Sequence, residues 1–439
     1  MFRQFPLNKI ILFLNPKEIL LFLCLFFVFF LPPLDPDLGW QLRCGQQIWQ
    51  TGRLCSDNHF SLLLANYHCP NSHHLYQILI YPFYRTFGLL GLSFLNGLLL
   101  ATTFFLFTRL QGSRHPKIIF LPLLIFLSWS VFSLGLRSQL FSLLYLTLLL
   151  YFWQKQKLIF LPLIIWLWTN THGSFVLSLL ILPFLRSPPI ALISFLVTFL
   201  NPFGYQLYLE AYRHLFTTGL DQLIAEWVPP AFAFQVIILI IFILAALQAK
   251  KLFDFLFLLG LTFLALKARR NLDYFFLFAF SLLSRLRFKS PLLPLISLIS
   301  LITLLCFGLL IQLPCTLLTQ PFAQYPQKAI NFLQKQPSGN IFNTYEWGGY
   351  LIWHLPQFKV FVDGRMPAWP TPEGKSPYTI YLETLQNQPG WEATLEKYKV
   401  EYLLISPGTF IDLLLQPYPA KYNYHELYRD HQAVIYQKL

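Results

Sequence analysis

Long runs of apolar residues without a single charge dominate this chain, from Ile19 to Leu31 near the start to Leu292 to Leu313 before the last quarter. Backbone N–H and C=O groups in lipid find partners only within a helix or a closed barrel. Runs rich in Leu, Ile and Phe that lack strict alternation favour the helix. With 56% hydrophobic and 12% charged residues in 439, the chain is too apolar for a water-soluble globule of its length. Lipid is therefore the expected solvent for most of it.

Each apolar block, counted as one crossing, gives spans near 10–31, 76–108, 118–135, 138–153, 158–170, 173–185, 189–200, 232–249, 252–267, 272–284 and 292–313. The expectation is a polytopic α-helical membrane protein of about eleven transmembrane helices. Alternate connections carry Arg3 and Lys9; Arg109, Arg114 and Lys117; Lys155 and Lys157; Arg186; Lys250 and Lys251; and Arg285, Arg287 and Lys289. The positive-inside rule places these in the cytoplasm, which puts the N-terminus there too. Basic clusters between apolar blocks are explained by orientation, so the formal charge of +13 does not call for nucleic acid.

The opposite connections then face outward: a first loop at 32–75, the turn at Gly135 to Ser138, Thr169 to Gly173, a loop at 201–232, and Ala268 to Asp273. Asp35, Asp37, Asp57, Glu210, Asp221, Glu226 and Asp273 fall there, against only Glu18 and Asp254 elsewhere before the tail. Arg137, His172, Arg269 and Arg270 lie on the same side, against the positive-inside trend, as basic groups with specific partners do. The outward face reads as a site.

The chain divides into a membrane part, 1–314, and a tail, 315–439, expected outside the cytoplasm. After Tyr325 the residue usage becomes that of a soluble domain. Apolar runs at Asn340 to Phe342, Lys359 to Val362 and Tyr402 to Ile405 alternate with helical stretches at Gln327 to Gln336, Gly348 to Leu355 and Trp391 to Tyr398, and a hairpin can close at Tyr424 to Gln437. That order predicts a small α/β fold. No Gly-rich phosphate loop, GxSxG elbow or HExxH stands in it.

Asp35-Pro36-Asp37 sits where the first apolar block ends. Two carboxylates so spaced can hold a divalent cation such as Mg2+ or Mn2+, or one can act as general base while the other orients it; a solvated Pro turn is the plain alternative. The loop continues as a short amphipathic stretch with Trp40 and Trp49, suited to the headgroup level, where an enzyme meets the phosphate of a lipid-linked substrate. Arg137, Arg269 and Arg270 are candidates to clamp that phosphate, with headgroup contact or helix capping as the other reading. Glu226 beside Trp227 is a candidate second acid or hydroxyl acceptor, or a surface charge. His172 is a candidate ligand residue, although a hydrogen bond tying two helix ends is the commoner role. In the tail, Glu346, Trp347, Asp363 and Arg365 are candidates for holding an acceptor, or form a turn with a local ion pair. Cys44, Cys55, Cys69, His59, His68, His73 and His74 match no closed zinc spacing; a disulfide among the three cysteines, or with Cys315, is expected in an oxidising compartment.

Taken in order, DPDLGWQLRCGQQIWQTGRLCSDNHFS from Asp35, NTHGSF around His172, NPFGYQLY from Asn201, AEWVPP around Glu226, YEWGGYLIW and VFVDGR resemble a group of bacterial polytopic proteins related to the GT-C class of membrane glycosyltransferases. The resemblance implies a polyprenyl-phosphate-linked sugar as donor, inversion at the sugar carbon, and a catalytic base at Asp35 or Asp37. Where such proteins read Trp-Trp-His, this chain has Gly39-Trp40-Gln41, so a histidine that would assist metal or phosphate binding is absent. Glu346 to Tyr350 also resemble the WWDYG segment with which oligosaccharyltransferases recognise an acceptor. The expected function is sugar transfer from the lipid carrier to an acceptor on the outer face of a bacterial inner membrane. The rivals are a transporter or lipid-handling protein without chemistry, and a non-catalytic relative acting as a scaffold.

Overall fold

A computed structural model describes residues 15–110, 112–216, 224–286, 291–319, 323–371 and 374–439. Arg3, Lys9, Asp221, Arg287 and Lys289 lie outside the described residues.

The first helix, α1 (Pro16–Val28), starts where the Asn15 side chain accepts a hydrogen bond from the Glu18 backbone N–H at 2.9 Å and the Glu18 carboxylate accepts one from the Asn15 backbone N–H. This reciprocal cap, with Pro16 at the first helical position, satisfies donors that a helix start leaves open. Glu18 also pairs with Arg109 at 2.6 Å and Arg114 at 2.9 Å, which ties α1 to the far end of the long helix α3 (His74–Phe107). Between them the chain leaves α1 through the Asp35-Pro36-Asp37 turn into α2 (Leu38–Thr51), which packs on both α3 and the tail.

About eleven transmembrane helices were expected, and the helices do not bear that out. Among the described residues only His74–Phe107 and Leu293–Leu318 are long and apolar enough to cross a membrane. The others break early. Leu158–Thr169, Gly173–Phe184, Pro188–Phe199 and Phe232–Ala246 have 10–17 residues, so at about 1.5 Å per residue they extend only roughly 15–25 Å against a ~30 Å hydrocarbon core. Prolines open several of them, and 3-10 turns interrupt the runs at 158–160, 173–175 and 182–184. An apolar run reports burial against protein or lipid, and the count had treated each as a crossing. The two long helices, together with exposed Leu, Ile and Phe along 192–200, 232–247 and 292–318, associate the chain with a membrane.

The tail holds a five-stranded sheet in the order β2-β1-β3-β5-β4, from β1 (Asn340–Asn343), β2 (Lys359–Val360), β3 (Tyr402–Ile405), β4 (Tyr424–Arg429) and β5 (Val434–Lys438). β1 runs parallel to β2 and β3; β5 runs antiparallel to β3 and β4. All four residues of β3 are buried, as a central strand covered on both faces requires. Its Leu404 side, with Ile341 and Ile435, packs on Ile330, Trp347 and Leu351 and on Trp40 and Cys44 of α2. Its Leu403 side packs on Trp369, Tyr381, Trp391 and Leu63. The first loop thus supplies core residues to the tail. It also lengthens the sheet: the Val360 N–H donates to Phe60 O at 3.1 Å and the Leu62 N–H donates to Val360 O at 2.8 Å, so residues 60–62 run parallel to β2 as a further edge.

Glycines explain how close the tail comes. A Cβ on Gly349 would strike the Pro36 carbonyl, and one on Gly39 would strike the Gly349 carbonyl, so α2 and the helix Gly348–His354 meet backbone to backbone directly behind the aspartate pair. Gly349→Ala is expected to force these helices apart and lower the unfolding temperature. A control Gly374→Ala, whose site meets no neighbour but has φ +75°, is expected to cost only the local backbone strain. Thermal unfolding of the purified variants checks the pair.

Candidate active-site cavity

A cavity of about 340 Å3 opens between the first loop, the turns that follow the short helices, and the tail. Of the eleven candidate catalytic, phosphate- and acceptor-binding residues, seven line it: Asp35, Asp37, Arg137, His172, Glu226, Arg270 and Arg365. Four do not. Arg269 and Glu346 are exposed outside it, Trp347 packs in the tail core, and Asp363 is fully buried beneath the wall.

Arg137 is the hub. It sits before the helix Ser138–Gln154, and its guanidinium meets Asp35 at 3.3 Å on one side and Glu226 at 2.7 Å on the other. Burial alone would lower its pKa, and the surrounding carboxylates of Asp35 and Glu226 more than reverse that, so the guanidinium stays charged. Burial also presses on Glu226, but Arg137 and Arg270 hold its carboxyl below the usual range. Asp35 is raised by burial, with Arg137 opposing, and its Oδ1 accepts the Asp37 backbone N–H at 3.2 Å. Asp37 has no such ion pair among the described residues. Burial, then the charge of Asp35, push it up to about 7. The two carboxylates therefore have different tasks: Asp35 is locked to Arg137, whereas Asp37 is placed to exchange a proton near neutral pH.

The tail closes the wall beside Asp37. A side chain at Gly364 would collide with the Asp37 carboxylate. Arg365 next to it makes a two-pronged bond to Asp363, 2.7 Å at each prong, and reaches across to Asn58 at 3.0 Å and Ser61 at 3.1 Å. Ser61 in turn donates to Asp363 at 2.5 Å. Burial opposes ionisation of Asp363, but the Arg365 guanidinium keeps its carboxyl below the usual range. Arg365 also lies over the rings of Phe60, Trp369 and Trp40 at 5.2, 5.4 and 5.8 Å. This is a buried clasp between tail and first loop, and Asp363 is wholly used by it.

On the opposite wall His172 Nδ1 lies 2.9 Å from the Ser142 hydroxyl and 2.8 Å from that of Ser174, and the tilted His73 ring lies beside it with ring centres 5.6 Å apart. Burial, and then the positive charges of His214 and Arg270, depress His73 to about 3. Arg270 lies over the Trp227 ring at 4.7 Å and makes no ion pair among the described residues. Gln139 donates to the Arg270 carbonyl at 2.6 Å while its own Oε1 is buried without a partner among the described residues. Asn58, Ser61, Gln139, Ser142 and Ser174 had not been singled out. The first two stand inside the quoted loop motif and Ser174 inside NTHGSF, whereas Gln139 and Ser142, single polar residues near a block edge, carry no local signal that marks them.

The donors do not suit a metal ion. Among the described residues no three His, Cys, Asp or Glu side chains gather as ligands, and the Asp35 carboxylate already faces a guanidinium, which a cation would have to displace. Cys44 and Cys55 form a disulfide in the cavity wall, with Cα atoms 5.4 Å apart; Cys69 is free nearby and Cys315 is exposed. Compared with known proteins, the chain matches no protein-family model and no curated protein sequence.

Proposed function

We propose that the chain is a membrane glycosyltransferase that moves a sugar from a polyprenyl-phosphate-linked donor to an acceptor hydroxyl. The observation that carries this reading is a single cavity holding both a carboxyl that titrates near neutrality, Asp37, and a cation with no ion-pair partner among the described residues, Arg270. In the reaction, the acceptor O–H gives its proton to Asp37 and its oxygen attacks the anomeric carbon. The bond from that carbon to the phosphate oxygen breaks, and the electron pair leaves on the polyprenyl phosphate, where Arg270 offsets the charge. Attack opposite the leaving group inverts the sugar carbon. Asp35 and Glu226 hold Arg137 and, through it, the turn that carries the base.

The helix Gln206–Phe216 supports a lipid-borne donor. Tyr205, Leu209, Tyr212 and Phe216 are exposed along one side of it, while Leu207, Glu210, Ala211 and His214 line the cavity on the other. A short helix with an aromatic outer stripe suits the headgroup layer, where a cavity beside it would meet a lipid phosphate. The Cys44–Cys55 disulfide favours an oxidising, non-cytoplasmic side. On this reading the protein crosses a bacterial inner membrane more than once, with its N-terminus in the cytoplasm and the tail outside.

The test is binding and transfer with purified protein in detergent, using a panel of polyprenyl-phosphate sugars and wild type beside Arg270→Gln. Wild type is expected to bind and transfer one of them, and the variant to bind it at least about tenfold more weakly, the scale of a hydrogen bond to a charged group. Binding without sugar transfer would mark a lipid-handling protein. Absence of binding by wild type would refute the reading.

A further inference from the structure

His172 offers more than its place in the wall, because its surroundings decide which ring nitrogen bears the proton. The Ser174 backbone N–H donates to Nδ1 at 3.3 Å, and a backbone N–H can only donate, so Nδ1 must be the lone-pair nitrogen. The two serine hydroxyls agree. Both Ser142 and Ser174 lie within 2.9 Å of Nδ1, and the Trp168 indole N–H, another pure donor, points at each of them, 2.9 Å from Ser142 and 3.3 Å from Ser174. With their oxygens accepting from Trp168, the hydroxyls can give their protons to Nδ1, Ser174 having the Tyr274 hydroxyl at 3.3 Å as its other partner, so the backbone N–H is what assigns the tautomer. A neutral ring so held carries its hydrogen on Nε2. Nδ1 is engaged on the wall side, and among the described residues none bonds Nε2, in a side chain that lines the same cavity as Arg270. Burial keeps the ring neutral, well below the usual histidine range.

We propose that His172 is a positioning residue whose fixed Nε2–H donates to a phosphate-ester oxygen of the ligand that Arg270 neutralises. The ligand rests on the transferase reading; the tautomer does not. A neutral donor adds direction without adding charge: Arg270 attracts the phosphate, and the imidazole N–H selects which oxygen faces the wall.

Two conservative variants separate this role from packing. In His172→Asn the side-chain oxygen can stand where Nδ1 stands and accept the Ser174 N–H, but nothing replaces the Nε2 donor. In His172→Gln the amide nitrogen reaches the Nε2 position, while the cap on Ser174 is lost. The full-length protein is titrated with farnesyl phosphate and, in a second arm, inorganic phosphate; unfolding temperatures are measured alongside, and 15N-histidine NMR reads the tautomer. His172→Asn is expected to unfold like wild type and bind farnesyl phosphate about 10- to 100-fold more weakly. His172→Gln is expected to bind within a few-fold of wild type yet unfold at a lower temperature, and wild type to show one histidine with a bare Nδ1 that is missing from both variants. Equal binding of inorganic phosphate would support the donor and name free phosphate as the ligand. Affinity losses that merely follow stability, or a proton found on Nδ1, would overturn the inference and leave the transferase reading standing. If wild type bound neither phosphate, the transferase reading would fall and the phosphate role of His172 with it.

Discussion

Arg137→Ala is expected to cost about 3–5 kcal/mol of stability and to abolish ligand binding, because it removes the cation between two carboxylates, leaving the buried Asp35 uncompensated and Glu226 with only the charge of Arg270. Only 13% of the Arg137 side chain and 7% of that of Asp35 are exposed, so water cannot take over the role of the guanidinium. The cost comes from the stranded charges more than from lost attraction. A triple variant, Arg137→Met with Asp35→Asn and Glu226→Gln, is therefore expected to recover most of the stability and none of the binding. Chemical denaturation followed by circular dichroism measures the first quantity, and titration with lipid phosphate the second. If Arg137→Ala unfolded like wild type, the ion-pair chain would not organise the cavity.

Asp37→Asn is expected to reduce sugar transfer by about 10^2- to 10^4-fold, the usual contribution of a positioned proton acceptor, and to erase a pH dependence. Since the base must be ionised, wild-type transfer is expected to rise with pH through about 7. Stability runs the other way. An aspartate in the unfolded chain releases its proton near pH 4, whereas the folded protein keeps it to about 7. Between those values the folded state binds more protons, so stability falls as pH rises, by roughly 4 kcal/mol at most at 1.36 kcal/mol per pH unit. His73 and His172 act with the opposite sign: held neutral by burial, they lose stability for the fold as pH drops below the ordinary histidine range near 6.5. Comparing wild type with Asp37→Asn cancels the histidines. The variant is expected to be the more stable protein at pH 8 and equal to wild type near pH 4. A gap that did not change with pH would mean that Asp37 is ionised throughout.

The tail was legible because its signals are local. Strands β1, β2 and β3 lie within the apolar runs at Asn340, Lys359 and Tyr402, bounded by turn residues, and the hairpin of β4 and β5 falls between Tyr424 and Lys438. The apolar part was less legible. From Leu158 to Leu200 the residue types say that side chains avoid water, but not whether lipid or protein receives them; Trp168 and Phe175 are fully buried in protein, whereas Ile159 and Leu163 are exposed. Side chains from separate connections, Asp35, Arg137, His172, Glu226 and Arg270, meet in one cavity, and their polarity in apolar surroundings was the signal that singled them out. What no local pattern reveals is pairing. The Ser61–Asp363 bond joins residues 302 positions apart, and the partition of labour between Asp35 and Asp37 depends on which of them Arg137 reaches.

That separation sets an order on biosynthesis. The strand at residues 60–62 must wait for β2, which at about 5–20 residues per second is made roughly 15 to 60 s later. Cys44 and Cys55, 11 positions apart, have both partners long before then, so the disulfide can hold the first loop in shape through the delay. The cavity is walled on all sides only once the tail has been translated and docked. A chain released before the tail is made carries the aspartates and the arginine hub but lacks the wall that Gly364 and Arg365 supply beside Asp37.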